Sequence, residues 1–175
     1  MAMKRIILHI GTEKTGTSTI QSFFHKNADK LLDHGILYPR APYGPDSASH
    51  IGLPVYARNE KRLAGDMLGK FGIKDAYAVE VFREELKTKF YNEFASHEFH
   101  TMVLSSEHLT SRLSEPAELE RLKNLLEPMG RVEVVLYLRP QEELVASSYS
   151  TTIRLGSTQK FSKYIEKSIY ESYYD

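Results

Sequence analysis

The chain has 175 residues, enough for a domain with a sizeable core, and its 41% hydrophobic and 26% charged residues are ordinary for a globular protein in water. Its 23 basic and 23 acidic side chains cancel, which argues against a general binder of nucleic acid or anionic membrane and requires any basic pocket to be local. Zero cysteines exclude disulfides, thiol nucleophiles and thiolate metal sites; no run approaches the length of a membrane-spanning helix, and Met1-Ala2-Met3-Lys4-Arg5 leads into a strand rather than a secretory signal, so a cytoplasmic protein is expected.

The segment from about Lys4 to Ile10, with the apolar run Ile6-Ile7-Leu8, reads as a first strand. Directly after it comes His9-Ile10-Gly11-Thr12-Glu13-Lys14-Thr15-Gly16-Thr17-Ser18-Thr19, and then Ile20-Gln21-Ser22-Phe23-Phe24, a strand, a tight loop and a helix start. The first amides of a helix have no intrahelical partner and carry the positive end of its dipole, so the junction suits an anion, a phosphate or a sulfate. Gly11 and Gly16 keep the G-x4-G spacing of a Walker A loop, but Thr17 stands where that loop has its lysine. The loop's own lysine, Lys14, comes two residues before Gly16.

Thr17 to about His34 reads as one helix, with Ile20, Phe23, Phe24, Leu31 and Leu32 as its apolar stripe and Gly35 as its stop. Ile36 to Tyr38 forms a short second strand, Pro39 to Ser49 a loop, and His50 to about Leu68 short helical pieces. Val79, Phe82, Leu86, Phe90 and Phe94 predict a long amphipathic helix. A third strand, Met102-Val103-Leu104, ends in Ser105-Ser106-Glu107-His108. A general base has to reach the hydroxyl it deprotonates, and Glu107 is the first candidate here, His108 the second. Leu119, Leu122, Leu125 and Leu126 mark another helix, and Val132 to Leu138 reads as a buried fourth strand.

Arg139 follows that strand, Pro140 suits the first turn of the next helix, and Ser147 lies eight positions after Arg139, slightly over two turns on and on nearly the same face. An arginine fork and a hydroxyl so placed converge on one phosphate. The alternation of strands and helices, without repeats, predicts an α/β fold with a parallel sheet and helices on both faces. Ligands in such sheets bind beyond the carboxyl ends of the strands, where Lys14, Glu107 and Arg139 are each expected, around one crevice.

The order Lys14-Thr15-Gly16-Thr17-Ser18 resembles the 5′-phosphosulfate loop of sulfotransferases that use 3′-phosphoadenosine 5′-phosphosulfate (PAPS). Arg139 and Ser147 are similar to that family's 3′-phosphate motif, and Ser105-Ser106-Glu107 resembles the place where glycan-directed members carry a catalytic glutamate, whereas small-molecule relatives use a histidine. The resemblance implies a three-layer, P-loop-type fold and transfer of a sulfuryl group from PAPS to a hydroxyl, or an amine, of a glycan or small-molecule acceptor. It assigns Gly11, Lys14, Thr15, Gly16, Thr17, Ser18, Arg139 and Ser147 to the nucleotide, and Lys14, Glu107 and His108 to catalysis, without a metal. Family domains are longer and add a basic, glycine-containing C-terminal loop, so residues 1–175 are read as a single domain lacking that part.

Each residue also has a plainer reading. Less favoured, Lys14 reads as a solvated loop lysine, Arg139 as a strand cap or the partner of Glu142 or Glu143, and Glu107 as a carboxylate beside a helix start, while Ser147 by itself reads as a helix-surface serine. His9 suits a core or supporting place; Arg112, Arg154 and His50 suit the surface better than a lining of the acceptor site, and Tyr164, Tyr170, Tyr173 and Tyr174 suit helix packing better than a base-stacking platform. Two other functions remain open: a nucleotide-dependent kinase or NTPase on the same fold, and a non-catalytic nucleotide-binding module.

Overall fold

A computed structural model describes residues 3–43, 47–59 and 69–170. The expected helical pieces beyond residue 59, part of the Pro39–Ser49 loop, and Tyr173 and Tyr174 lie outside the described residues. The chain divides into two compact units, Met1–Tyr137 and Leu138–Asp175.

The first unit is α/β. Its strands are β1 (Arg5–His9), β2 (Ile36–Leu37), β3 (Thr101–Ser105) and β4 (Arg131–Val135). Its helices of the described residues are α1 (Thr17–Lys26), α2 (Ala28–Asp33), α3 (Gly52–Ala57), α4 (Ala76–Ser96), α5 (His108–Arg112) and α6 (Pro116–Leu126). All strand pairs are parallel, in the order β2-β3-β1-β4. The chain leaving β1 therefore travels past β3 to reach β2, and the chain leaving β3 travels past β1 to reach β4. Neighbouring β1 and β3 thus send their connections in opposite directions.

Burial follows that order. Met102, Val103, Leu104 and Ser105 of β3 are all buried, so both faces of this strand are covered, which is why it reads as a continuous apolar run. Ile6 and Leu8 of β1 join Met102 and Leu104 in a core completed by Leu53, Leu86, Phe90, Leu122, Leu125 and Leu126. Each such side chain contributes about 1.5–3 kcal/mol by leaving water. β4 differs from the buried strand its composition suggests: it is an edge strand, and Val134 is 59% exposed.

The helices follow the periodicity in part. The stretch expected as one helix from Thr17 breaks at Asn27, whose side-chain amide donates to the Phe23 carbonyl (2.8 Å) and whose backbone leaves the helical region. The second piece ends as expected at Gly35, which adopts a left-handed φ of 72°. In α4, Val79, Leu86 and Phe90 are buried as their spacing requires, and Asp75 caps the start by accepting from the Ala78 amide (2.8 Å). In α6 the fourth place on the stripe of Leu122, Leu125 and Leu126 belongs to Glu118, fully buried, while Leu119 is 54% exposed. The Glu118 carboxylate accepts backbone N–H groups from Asn59 (2.8 Å), Ser114 (3.0 Å) and Glu115 (3.2 Å), which satisfies a charge that the apolar stripe alone would not tolerate.

The second unit contains α7 (Gln141–Arg154) and α8 (Phe161–Tyr170). α7 ends in a Schellman motif: Gly156, at φ 92°, donates to Ile153 and Ser157 donates to Thr152. Tyr149 packs on Phe161 and Tyr164, with ring centroids 4.9 and 5.3 Å apart, so Tyr164 does serve helix packing. No helix among the described residues is long and apolar enough to cross a membrane.

Candidate functional site

In the parallel register His9 sits opposite Ser105 on one side and Val135 on the other, so the loops after β1 and β3 leave the sheet at one edge. Backbone bonds seal that edge: Ser106 donates to the His9 carbonyl (3.0 Å), Ile10 to Val135 (2.9 Å) and Thr12 to Tyr137 (3.3 Å). The Thr110 hydroxyl of α5 donates to the Ile10 carbonyl. The Gly11–Ser18 loop and the Glu107-His108 pair, distant in sequence, are consequently neighbours.

The loop conformation is unusual where the sequence places Lys14. Lys14 has φ 67°, the one positive value for a non-glycine among the described residues, and Gly16 has φ 87°. A lysine in the left-handed region is uncommon and strained, a feature that concentrates where ligands are held. Gly16 is needed for its backbone alone, since a Cβ there would meet nothing within 4 Å. Gly11 is needed for space: a Cβ would lie 2.9 Å from His9 Nε2, 3.0 Å from Thr17 Cγ2 and 3.1 Å from Thr15 Oγ1. The Thr15 hydroxyl is turned inward, donating to the Thr12 carbonyl (2.6 Å), Thr17 is buried, and Ser18 is exposed. α1 starts at Gly16 without a side-chain cap among the described residues. The Thr19 amide turns back to the Gly16 carbonyl (3.0 Å), and among the described residues those of Thr17 and Ser18 have no backbone acceptor.

Behind the loop runs a chain of polar side chains. Gln21, buried one turn after Thr17 on the same helix face, donates from Nε2 to Glu107 Oε2 (2.7 Å) and to Ser105 Oγ (3.4 Å). Ser105 Oγ lies 2.8 Å from His9 Nδ1. The His9 ring is 4% exposed, meets Tyr137 edge-on at 5.0 Å, and its Nε2 has no hydrogen-bond partner among the described residues. Burial pulls the His9 pKa below its ordinary value, against the opposing pull of the Glu107 charge, so the ring is held neutral. A buried polar group left unpaired costs about 1–3 kcal/mol.

Glu107 and His108 diverge from their shared position at the start of α5. Glu107, half-buried, faces Gln21 of α1. His108 Nδ1 lies 3.7 Å from Glu13 Oε1 in the loop, and the Ser111 hydroxyl donates to the same carboxylate (3.2 Å). Both candidate bases are thereby held by neighbours, Glu107 by an α1 amide that leaves its carboxylate an acceptor and His108 beside the Glu13 carboxylate of the loop.

His50 is not the surface residue its neighbourhood suggests. It is fully buried, Nε2 donates to the Pro39 carbonyl (2.8 Å), and Nδ1 accepts the Ser105 amide (2.8 Å). Burial lowers its pKa to about 4, the Pro39 bond opposing, so it braces the end of β3 as a neutral ring. Arg112 and Arg154 are exposed, as expected.

Arg139 and Ser147 belong to the second unit. There Arg139 Nε donates to Glu143 Oε2 (2.9 Å), the pairing its plainer reading anticipates, and Ser147 is half-buried on α7. Reasoning from the sequence passed over Gln21 and Ser105. Gln21 had a legible signal, a polar side chain four residues after Thr17 and so on the same helix face; Ser105 acquires its partners only from β1, α1 and His50. Neither protein-family models nor curated proteins give a match to this chain.

Proposed function

We propose that this protein is a PAPS-dependent sulfotransferase of P-loop type. The observation that carries the reading is the loop Lys14-Thr15-Gly16-Thr17-Ser18, with left-handed Lys14 and Gly16, opening an uncapped helix beside a Gln21-held Glu107. The order β2-β3-β1-β4 supports it, because connections that diverge from β1 and β3 leave a crevice beyond their carboxyl ends.

In this mechanism the helix amides and the Ser18 hydroxyl hold the 5′-phosphate. The acceptor oxygen attacks sulfur in line as the bond from sulfur to the bridging phosphate oxygen breaks, and Lys14 stabilises the charge that develops on that oxygen. Glu107 takes the acceptor's proton, and 3′-phosphoadenosine 5′-phosphate (PAP) leaves. By analogy with phosphoryl transfer the work is mostly positioning and charge compensation. Lysine and amides supply that compensation without a metal. A glutamate base favours a glycan hydroxyl as acceptor. Assignment of Arg139 and Ser147 to the 3′-phosphate rests on their motif.

Arg139→Ala tests the nucleotide half of the proposal. It removes a charge-assisted fork, so PAP should weaken by roughly 1.5–3 kcal/mol while adenosine 5′-phosphosulfate, which lacks the 3′-phosphate, is nearly unaffected in calorimetry. Equal losses for both ligands would make the arginine structural.

A further inference from the structure

The polar chain behind the loop has a direction, and its direction ends in a donor. Glu107 as a carboxylate only accepts, so Gln21 presents its NH2 to it, at 2.7 Å. The second hydrogen of that NH2 is directed to Ser105 Oγ, which therefore accepts and has its own hydrogen to give. We assign that hydrogen to His9 Nδ1, 2.8 Å away. A neutral imidazole that accepts at Nδ1 carries its proton on Nε2. His9 Nε2–H is thus a donor, 96% buried with its residue and unpartnered among the described residues. It faces the loop backbone at Gly11: the point where a Gly11 Cβ would sit is 2.9 Å from it and about as far from Thr15 and Thr17.

We propose that His9 is an anion-binding residue: its Nε2–H donates to an oxygen of the phosphate or phosphosulfate held in the Gly11–Ser18 loop. This rests on the reading of that loop as an anion site and adds to it a neutral, oriented donor from the strand. Gly11 follows from the same role, because any side chain there would fill the space between the imidazole and the loop. Buried donors in folded proteins are nearly always paired, and an anion oxygen is the partner this position fits. The chain also links the two halves of the site. Glu107, the base toward the acceptor, and His9, the donor toward the nucleotide, are oriented by one glutamine and one serine.

The test is imidazole nitrogen NMR on the 15N-labelled full chain, titrated with PAP, ATP and inorganic pyrophosphate, together with calorimetry on two variants. His9→Asn keeps a polar group near the Nδ1 position and loses the Nε2 donor; His9→Gln returns an amide near Nε2. Free protein should show His9 as the Nε2–H tautomer, and bound anion should shift that proton and slow its exchange. His9→Asn should bind PAP about tenfold more weakly and His9→Gln within about threefold of the parent. Anion binding that leaves both the His9 resonances and the His9→Asn affinity unchanged overturns the role of His9 alone. Binding of ATP in preference to PAP, with the His9 shift present, overturns the sulfotransferase reading and supports His9. If none of the three ligands binds, both fall.

Discussion

The helix starting at Pro116 and the helix starting at Thr17 meet the same problem, unpaired first-turn amides, in opposite ways. At α6 the chain closes the end with its own groups: Pro116 occupies the first turn, and the buried Glu118 carboxylate collects the Ser114 and Glu115 amides as well as that of Asn59. α4 is closed likewise by Asp75. At α1 the cap position is Gly16 in a left-handed conformation, with no acidic residue in the first turn and no side-chain cap among the described residues. A side-chain cap at this position would need a residue other than glycine at φ 87°, a conformation that L side chains rarely adopt. The positive end of the α1 dipole thus carries no side-chain cap, as the proposed anion site requires, and the strained Lys14 stands beside it.

If the open end is the chemical one, the largest effect of a single substitution belongs to its neighbour Glu107. Glu107→Gln keeps the shape and the contact to Gln21 and removes the basicity, so sulfuryl transfer should fall by ~10²–10⁴ with PAP affinity little changed. His108→Ala should cost much less. Turnover measured on the two variants decides: an active Glu107→Gln protein beside a dead His108→Ala protein would move the base to the histidine.

The closed end should respond in stability instead. Glu118→Ala strands three backbone amides around a buried hole, and unfolding in urea should show a loss of about 3 kcal/mol or more without a change in PAP affinity of the folded protein. A loss under 1 kcal/mol would mean water replaces the carboxylate freely.

His50 supplies a pH test of similar size. Its ordinary pKa of 6.5 drops to about 4 in the fold, so the unfolded chain takes up the proton first as pH falls. Its contribution is full above pH 6.5 and is lost progressively down to about pH 4, by ~3 kcal/mol in total. Urea unfolding between these values should show that slope in the parent protein and a flatter one in His50→Asn; equal slopes would place the titration elsewhere.

The sequence carried the local features well. Alternating elements, the loop after β1, the Gly35 stop and the buried stripe of α4 follow from periodicity and glycine placement over a few residues. What it misplaced depends on partners far along the chain. Leu119 looked like core and Glu118 went unremarked because the amides of residues 59, 114 and 115 that donate to Glu118 are not visible in the helix itself. Val132 to Leu138 looked buried because an apolar run does not say whether its strand lies inside the sheet or at its edge. His50 looked exposed for the same reason, its two partners being Pro39 and the end of β3. At the candidate site the glycines, Lys14 and Glu107 were legible by type and position, whereas the Gln21–Ser105–His9 chain arises only when β1, α1 and β3 are brought together.

The central claim is that the open end of α1 holds the phosphosulfate end of a nucleotide without a metal. Thermal-shift titration with PAP, ATP and GTP in EDTA tests it directly. PAP at 100 times its dissociation constant should stabilise the protein by about 2.7 kcal/mol with ATP and GTP weaker, whereas stabilisation by ATP only when magnesium is restored, with none from PAP, would contradict the account and favour a kinase or NTPase.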